Sequence, residues 1–164
     1  MKKMTLAACV AAVTALSGCS MFDPGNSLVA PLVREDAEMK DFSNIEPGEL
    51  KAVREYADKY ASLLLKAIVE DDYKKISPFL APPLKKKLTE KAFTLMADRL
   101  KETSGSPDRM QHFGELKQGL FATSVYKVEL KKKGKKGTVV NDGLLRMSIG
   151  RLDGNYLIWN VFFD

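Results

Sequence analysis

Apolar residues recur at every third or fourth position from Pro47 onward, which predicts amphipathic helices in the first half of the chain. The longest run predicts a helix of about 22 residues, and Pro47 suits its first turn. Asp72 is placed to cap a short second helix through Ile76, and Thr89 to cap a third. The buried stripe of the first helix comprises Leu50, Val53, Ala57, Tyr60, Leu64, Ala67 and Ile68.

The second half of the chain changes to an alternation of apolar and polar residues, which predicts β-strands. SVYKVEL, GLLRMSIG and YLIWNVFF each predict a strand, and a further strand is expected around HFGELKQG. KKKGKKG predicts a flexible hairpin connection, and LDGN predicts a tight turn. Three helices followed by antiparallel strands predict an α+β domain in which the helices pack on one face of the sheet.

The amino terminus follows a different pattern. Lys2 and Lys3 precede an apolar run over residues 4–16, and small residues then lead to Cys19. This is the layout of a secretory signal, because the apolar run is too short to span a bilayer as a helix. Residues 16–19, LSGC, resemble the lipobox of bacterial lipoproteins. The resemblance implies cleavage before Cys19, a diacylglyceryl group on its thiol and acylation of the new amino terminus. The alternative is an ordinary signal peptide followed by a chance cysteine.

The predicted anchor determines the compartment and the cysteine chemistry. Two or three acyl chains hold a protein on a membrane durably, at about 0.8 kcal/mol per buried methylene. Cys9 leaves with the signal and Cys19 is acylated, so the mature chain has no thiol for a disulfide, thiol catalysis or a zinc site. In enterobacterial sorting, serine at position 20 instead of aspartate favours the outer membrane. We therefore expect a lipid-anchored envelope protein that faces the periplasm, if the cell has two membranes.

The chain is predicted to have three parts: a signal peptide (1–18), a lipidated amino terminus with a tether (19–46) and a single α+β domain (47–164). The signal contains two of the 26 basic residues, so 24 remain against 21 acidic ones, a net charge of +3. That charge, together with export, argues against a nucleic-acid partner. The tether contains one apolar stretch, LVAPLV at 28–33, which either packs on the domain or lies near the membrane.

Several landmarks in residues 47–164 occur in a fixed order. They are the long first helix, the acidic–aromatic turn EDDYKKISPFL, the short helix APPLKKKL, the third helix TEKAFTLMADRL and the ending RLDGNYLIWNVFF. This order is similar to the cone-shaped domain of the nuclear-transport-factor-two-like superfamily, also called ketosteroid-isomerase-like or cystatin-like. The ending resembles the G-x-W-x-I ending of bacterial lipoproteins of unknown function with this fold, although here the tryptophan follows the isoleucine. The resemblance implies a curved antiparallel sheet around a cavity that the three helices close.

Residues for catalysis are few. The chain has one histidine, His112, and no HExxH spacing, Gly-rich phosphate loop or serine elbow. We interpret His112 as a surface or strand-edge residue, and we expect no catalytic residue, no metal and no cofactor. Relatives include isomerases, dehydratases, ligand-binding proteins and protein-pairing modules, so the fold alone does not decide the function. The sequence favours a non-enzymatic binding or protein-interaction module, and the alternative is a cavity enzyme of the isomerase or dehydratase type.

Two sets of residues are candidates for binding. The first could line a pocket for a hydrophobic ligand, although a filled core would show the same pattern: Phe93, Met96, Leu100, Met147, Trp159 and Phe163. The second could contact anionic envelope material such as lipid phosphates or lipopolysaccharide, or could simply keep a hairpin tip in solution: Lys131, Lys132, Lys133, Lys135 and Lys136.

The last predicted strand is apolar on both faces, and one layer of helices can cover only one of them. The outer face of the sheet is therefore expected to take a second cover. This cover is either a second copy of the chain or the chain's own LVAPLV stretch. Cone-shaped relatives commonly pair through this face, so the resemblance implies a homodimer. Ile158 and Phe162 are then expected at the interface if Trp159 points inward.

Overall fold

The computed structural model describes residues 38–164, apart from Ser43, Lys136 and the side chain of Gln118. The predicted signal peptide, Cys19 and the LVAPLV stretch lie outside the described residues. Within the described range, no helix is both long enough and apolar enough to cross a membrane. The helices are α1 (Pro47–Glu70), α2 (Pro82–Lys87) and α3 (Glu90–Thr103), with 3₁₀ turns at Tyr73–Lys75 and Ser77–Phe79.

Four strands follow the helices: β1 (Ser106–Gln118), β2 (Phe121–Gly134), β3 (Gly137–Leu152) and β4 (Asn155–Phe163). They form one antiparallel sheet in the order β1-β2-β3-β4, so that each strand pairs with its neighbour along the chain. The predicted α+β class, with helices that precede an antiparallel sheet, is confirmed. Asp153 and Gly154 both have positive φ (48° and 82°), which confirms the tight turn predicted for LDGN.

Local chemistry explains where the helices begin and end. Pro47 occupies the first turn of α1, and the hydroxyl of Thr89 accepts a hydrogen bond from the Ala92 N–H at the start of α3. Asp72 also caps as predicted, but it caps the 3₁₀ turn Tyr73–Lys75 and not an α-helix. The turn does not continue as an α-helix, because Pro78 has no N–H to donate to the carbonyl of Lys74.

The main core lies between the helices and one face of the sheet, here called the inner face. The predicted alternation is confirmed over residues 121–130 of β2 and 142–149 of β3, where every second residue is buried. The inner face carries Tyr126, Val128, Leu130, Leu145, Met147, Ile149, Ile158 and Val161. Against these residues pack side chains of α1 and α3, among them Val53, Ala57, Leu64, Ile68, Phe93 and Ala97.

Part of the segment that was predicted as a tether belongs to this core. Phe42 is fully buried, and its backbone N–H donates a 2.6 Å hydrogen bond to the carbonyl of Gly119. Ile45 is buried beside it, and Met39 forms a β-bridge with Leu152. Packing of the domain therefore begins before Pro47.

Trp159 points to the outer face of the sheet, whereas the expected interface role of Ile158 required it to point inward. The pairing of β3 with β4 shifts between Ser148 and Ile149, where β4 has one residue more than β3. This bulge places Trp159 on the outer face, above Gly150, and leaves Ile158 fully buried on the inner face. Ile158 was expected at the interface only if Trp159 points inward, and that condition is not met.

The lysine-rich segment is also more regular than predicted. Residues 131–133 are not part of a loop, because β2 continues to Gly134 and β3 begins at Gly137. The two strands stay in register to the end, with Gly134 opposite Gly137. The predicted flexible connection is thus wrong for most of KKKGKKG. Lys136 lies outside the described residues.

Candidate functional site

The residues predicted to line a pocket divide between the two faces of the sheet. Phe93 and Met147 are fully buried in the main core, and three more side chains are partly buried against it: Met96, Leu100 and Phe163. Trp159 lies instead in a smaller apolar cluster with Ala81 and Leu152 on the other side of the sheet. Five of the six residues thus belong to the main core or pack against it, and a pocket among them stays a prediction.

A polar cluster lies beneath α1 at the edge strand β1. His112 and Glu115 face the helix, where the guanidinium of Arg54 lies beside both. Residues three apart in a regular strand point to opposite faces, but the pairing of β1 with β2 shifts between His112 and Gly114. The extra residue of this bulge turns both side chains towards the same helix. His112 is therefore a half-buried residue in the middle of an edge strand.

The geometry of this cluster fixes the tautomer of the histidine. Nη2 of Arg54 lies 3.2 Å from Nδ1 of His112, and a guanidinium can only donate. Nδ1 is therefore the acceptor, and a neutral ring carries its proton on Nε2. Nε2 lies 3.5 Å from Oε1 of Glu115, and both atoms are buried without a hydrogen-bond partner in the described part of the chain. A proton donor and a proton acceptor are thus held side by side, shielded from water.

Tyr126 extends the cluster into the core. Its ring meets that of His112 edge-on at a centroid distance of 5.4 Å, and its hydroxyl donates a 3.0 Å hydrogen bond to Oδ1 of Asp58. Burial raises the pKa of Tyr126 strongly, and the negative charge of Asp58 raises it further. The hydroxyl therefore stays protonated and acts as a fixed donor. Among the described residues, no three His, Cys, Asp or Glu side chains come together as metal ligands.

A second polar group, around Glu49, joins the first described residues to the sheet. The ammonium of Lys40 donates to Glu49, whose Oε1 also accepts from Tyr156 at 3.3 Å and from Arg151 at 3.4 Å. The hydrogen bond from Lys40 is the main cause that lowers the pKa of Glu49. All three side chains donate to the carboxylate of Glu49, so this group has a structural role. It holds the chain around residue 40 against β3 and β4.

The lysines of the β2–β3 hairpin are not equivalent. Lys131 pairs with Asp108 at 2.8 Å, and Lys132 donates to the carbonyls of Glu102 and Thr103 at the end of α3. These two lysines tie the hairpin to the domain, and Lys132 also matches the negative end of the helix dipole. Residues 133 and 135, both lysines, are exposed and form no ion pair with a described residue.

We compared the chain with models of known protein families and with curated protein sequences. No model of a known protein family matches the chain, and no curated protein matches its sequence.

The residues that sequence reasoning missed are Arg54, Asp58, Glu115 and Tyr126. Their closeness depends on a β-bulge and on the packing of α1 over β1, and neither feature has a sequence signal of its own.

Proposed function

We propose that the protein is a membrane-anchored lipoprotein of the cell envelope, and that it acts as a non-enzymatic binding module on the outer face of its sheet. The LSGC motif and the signal pattern before it support the anchor. The finer fold assignment, a cone-shaped, cystatin-like domain of the nuclear-transport-factor-two-like superfamily, is part of this proposal. The order of helices and antiparallel strands is compatible with it.

The observation that carries the binding role is a set of apolar side chains on the outer face, opposite the helices. We name this set the outer patch: Phe113, Leu116, Val125, Leu144 and Phe162. Phe113 is 77% exposed and Leu116 63% exposed, and Leu144 is exposed as well. The register places Val125, Arg146 and Phe162 in one row across three strands. Exposed apolar side chains gathered on one face of a small domain, here around Arg146, are typical of an interaction site.

A second copy of the chain fits the outer patch. Four strands of about ten residues form a face of about 20 by 35 Å, or about 700 Å². Stable interfaces bury roughly 600–1,000 Å² on each partner, so a face of this size falls within the range that a dimer needs. The outer face also carries both signs of charge, in the pairs Lys127–Asp142 and Arg146–Asp164. In a twofold contact the patch meets itself, and charges of both signs on the same face avoid like-charge repulsion.

The oligomeric state tests this proposal. Residues 20–164, which keep every described residue but lack Cys19, should scatter light as a dimer. Changing Phe113 and Leu116 to Lys should give a folded monomer, because both side chains are exposed and the charges would be buried on pairing. The matched control is Val69→Lys with Leu95→Lys, two exposed apolar positions on the helices, and it should remain a dimer.

A monomeric wild-type chain at high concentration would contradict the proposed second copy. The alternative cover for the outer patch is then the chain's own LVAPLV stretch, residues 28–33. If deletion of those residues converted the monomer into a dimer, they would be identified as the segment that covers the outer patch.

The alternative function, a cavity enzyme of the isomerase or dehydratase type, is favoured by one observation. Nε2 of His112 and Oε1 of Glu115 are buried, adjacent and without hydrogen-bond partners among the described residues. A histidine and a carboxylate are the side chains that general acid–base catalysis uses most often. A ketosteroid is the probe that the superfamily resemblance suggests. Conversion that is lost in both His112→Gln and Glu115→Gln would favour this alternative.

A further inference from the structure

The hairpin of β2 and β3 extends beyond the buried part of the sheet. The last four residues of β2 and the first four of β3 are exposed, although the strands remain paired. We name this element the basic ribbon: residues 131–135 and 137–140. Four residue pairs correspond to a length of about 13 Å. Its base is fixed to the domain, because the backbone of Lys131 packs so closely on Gly105 that a Cβ there would lie 2.7 Å from it.

The basic ribbon combines positive charge with exposed apolar residues. Val139 and Val140 are 53% and 54% exposed, and they lie opposite Lys132 and Lys131. Neighbours in a strand point to opposite faces, so one valine is exposed on each side of the ribbon. The domain itself therefore buries neither side chain.

This combination matches the chemistry of a bilayer surface. Apolar side chains gain free energy when they enter the boundary between headgroups and acyl chains, and lysines gain it from anionic phosphates. Lys133 and Lys135 lie at the tip, beyond the lysines that are tied to the domain. A soluble polyanion would use the same lysines, but it would offer nothing to the valines.

The basic ribbon lies at the opposite end of the sheet from the place where the described chain begins. Glu38 and Met39 lie beside the end of β3, where the backbone of Glu38 accepts a 3.0 Å hydrogen bond from the Asp153 N–H. The tip of the ribbon lies at the other end of this strand, which is 16 residues long. At about 3.3 Å per residue, the two ends are separated by about 50 Å. The ribbon thus points away from the end that a tether from Cys19 would reach first.

We propose that the basic ribbon docks on an anionic phospholipid bilayer. Lys133 and Lys135 contact the headgroup phosphates, and Val140, which lies on the same side of the ribbon as Lys133, enters the interfacial layer. The docking itself needs no anchor. Its orientation relative to acylated Cys19 rests on the proposed function: the ribbon binds a bilayer that faces the membrane holding the acyl chains.

Vesicle binding of the unacylated chain, residues 20–164, tests this inference. The chain should cosediment with vesicles of phosphatidylglycerol and phosphatidylcholine at low salt, but not with pure phosphatidylcholine, and added salt should release it. Lys133→Gln with Lys135→Gln should weaken binding about 25-fold. Val139→Thr with Val140→Thr should weaken it about tenfold, because the shape is kept and the apolar contact is lost.

The matched control is Lys66→Gln with Lys91→Gln, which removes the same charge from exposed positions on the helices. It should bind as tightly as the wild type. Equal weakening in the control and the ribbon variant would overturn the inference, because net charge alone would then explain binding. Tight binding to soluble dextran sulfate, with no effect of the valine changes on vesicle binding, would also overturn it. Neither result would affect the dimer or the acylation of Cys19, which are measured separately.

Discussion

The indole of Trp159 occupies the space above Gly150 where any other residue would place its Cβ. A Cβ at position 150 would lie 2.6 Å from Nε1 of Trp159 and 3.1 Å from the ring of Phe121. The rings of Trp159 and Phe121 in turn lie 5.5 Å apart at a tilt of 51°. The small cluster on the outer face therefore depends on the absence of a side chain at position 150.

We expect Gly150→Ala to destabilise the protein by about 1–3 kcal/mol, because the added methyl group must displace a large, buried ring. Urea unfolding at neutral pH measures this change. Gly48→Ala is the matched control, since nothing lies within 4 Å of a Cβ there and the residue is in α1. In a helix, alanine stabilises by up to about 1 kcal/mol relative to glycine.

A double variant identifies the ring as the cause. Trp159→Leu removes most of the volume above position 150, so adding Gly150→Ala to that variant should cost clearly less than it does alone. If the two changes were additive, the indole would not be the obstacle. The chain has a single tryptophan, so its fluorescence reports directly on this position.

The β-bulges mark the limit of what the sequence predicted about the fold. The alternation that predicted β2 and β3 is observed in the middle of both strands, where Tyr126, Met147 and Ile149 lie on the buried face. In β4 the assignment of residues to the inner or the outer face depended on the orientation of Trp159. One extra residue in the strand reverses every assignment after it, and both faces of YLIWNVFF are apolar. The hydrophobic pattern therefore held no information about the bulge.

Phe42 tests where the domain begins. Its side chain is fully buried in the main core, although it lies in the segment that was predicted as a tether. We expect Phe42→Ala to lower the free energy of unfolding by about 3–5 kcal/mol, as for other buried phenylalanines. Asn44→Ala, two residues away and exposed, should change it by less than about 0.5 kcal/mol. A small effect at Phe42 would contradict its place in the core.

Acylation of Cys19 is tested with the complete chain. The residues LSGC after an apolar run predict that the chain incorporates an alkyne fatty acid and partitions into detergent. Cys19→Ser should lose both properties. Cys9→Ser is the matched control, because that residue is predicted to leave with the signal, and it should keep both. Labelling that persists in Cys19→Ser would reject the lipobox interpretation.

The sequence identified the two binding candidates more easily than the polar cluster. Charge runs such as the lysines of the hairpin are visible in any sequence, and so is an apolar last strand. The cluster of Arg54, His112 and Glu115 is not, because its members come from α1 and from two positions of β1 that a regular strand would separate. His112 alone indicated only an edge residue. The tertiary contact with α1 gives it a charged neighbour on each side.

Tyr126 gives the stability of the protein a defined dependence on pH. Burial and the neighbouring Asp58 raise its pKa above the ordinary tyrosine value of about 10. Above that pH the unfolded chain loses the phenolic proton while the native protein keeps it. The native state then binds more protons, so the contribution of Tyr126 is complete below about pH 10 and declines as the pH rises further.

The expected result is that Tyr126→Phe reduces this decline. At neutral pH the variant should lose about 1 kcal/mol, because the hydrogen bond to Asp58 is gone. Above about pH 10 the difference from the wild type should shrink, since phenylalanine has no proton to lose. Tyr56→Phe, at an exposed position on α1, is the matched control and should keep the wild-type decline. Urea unfolding across this pH range measures all three proteins, and a constant difference between Tyr126→Phe and the wild type would contradict a raised pKa for Tyr126.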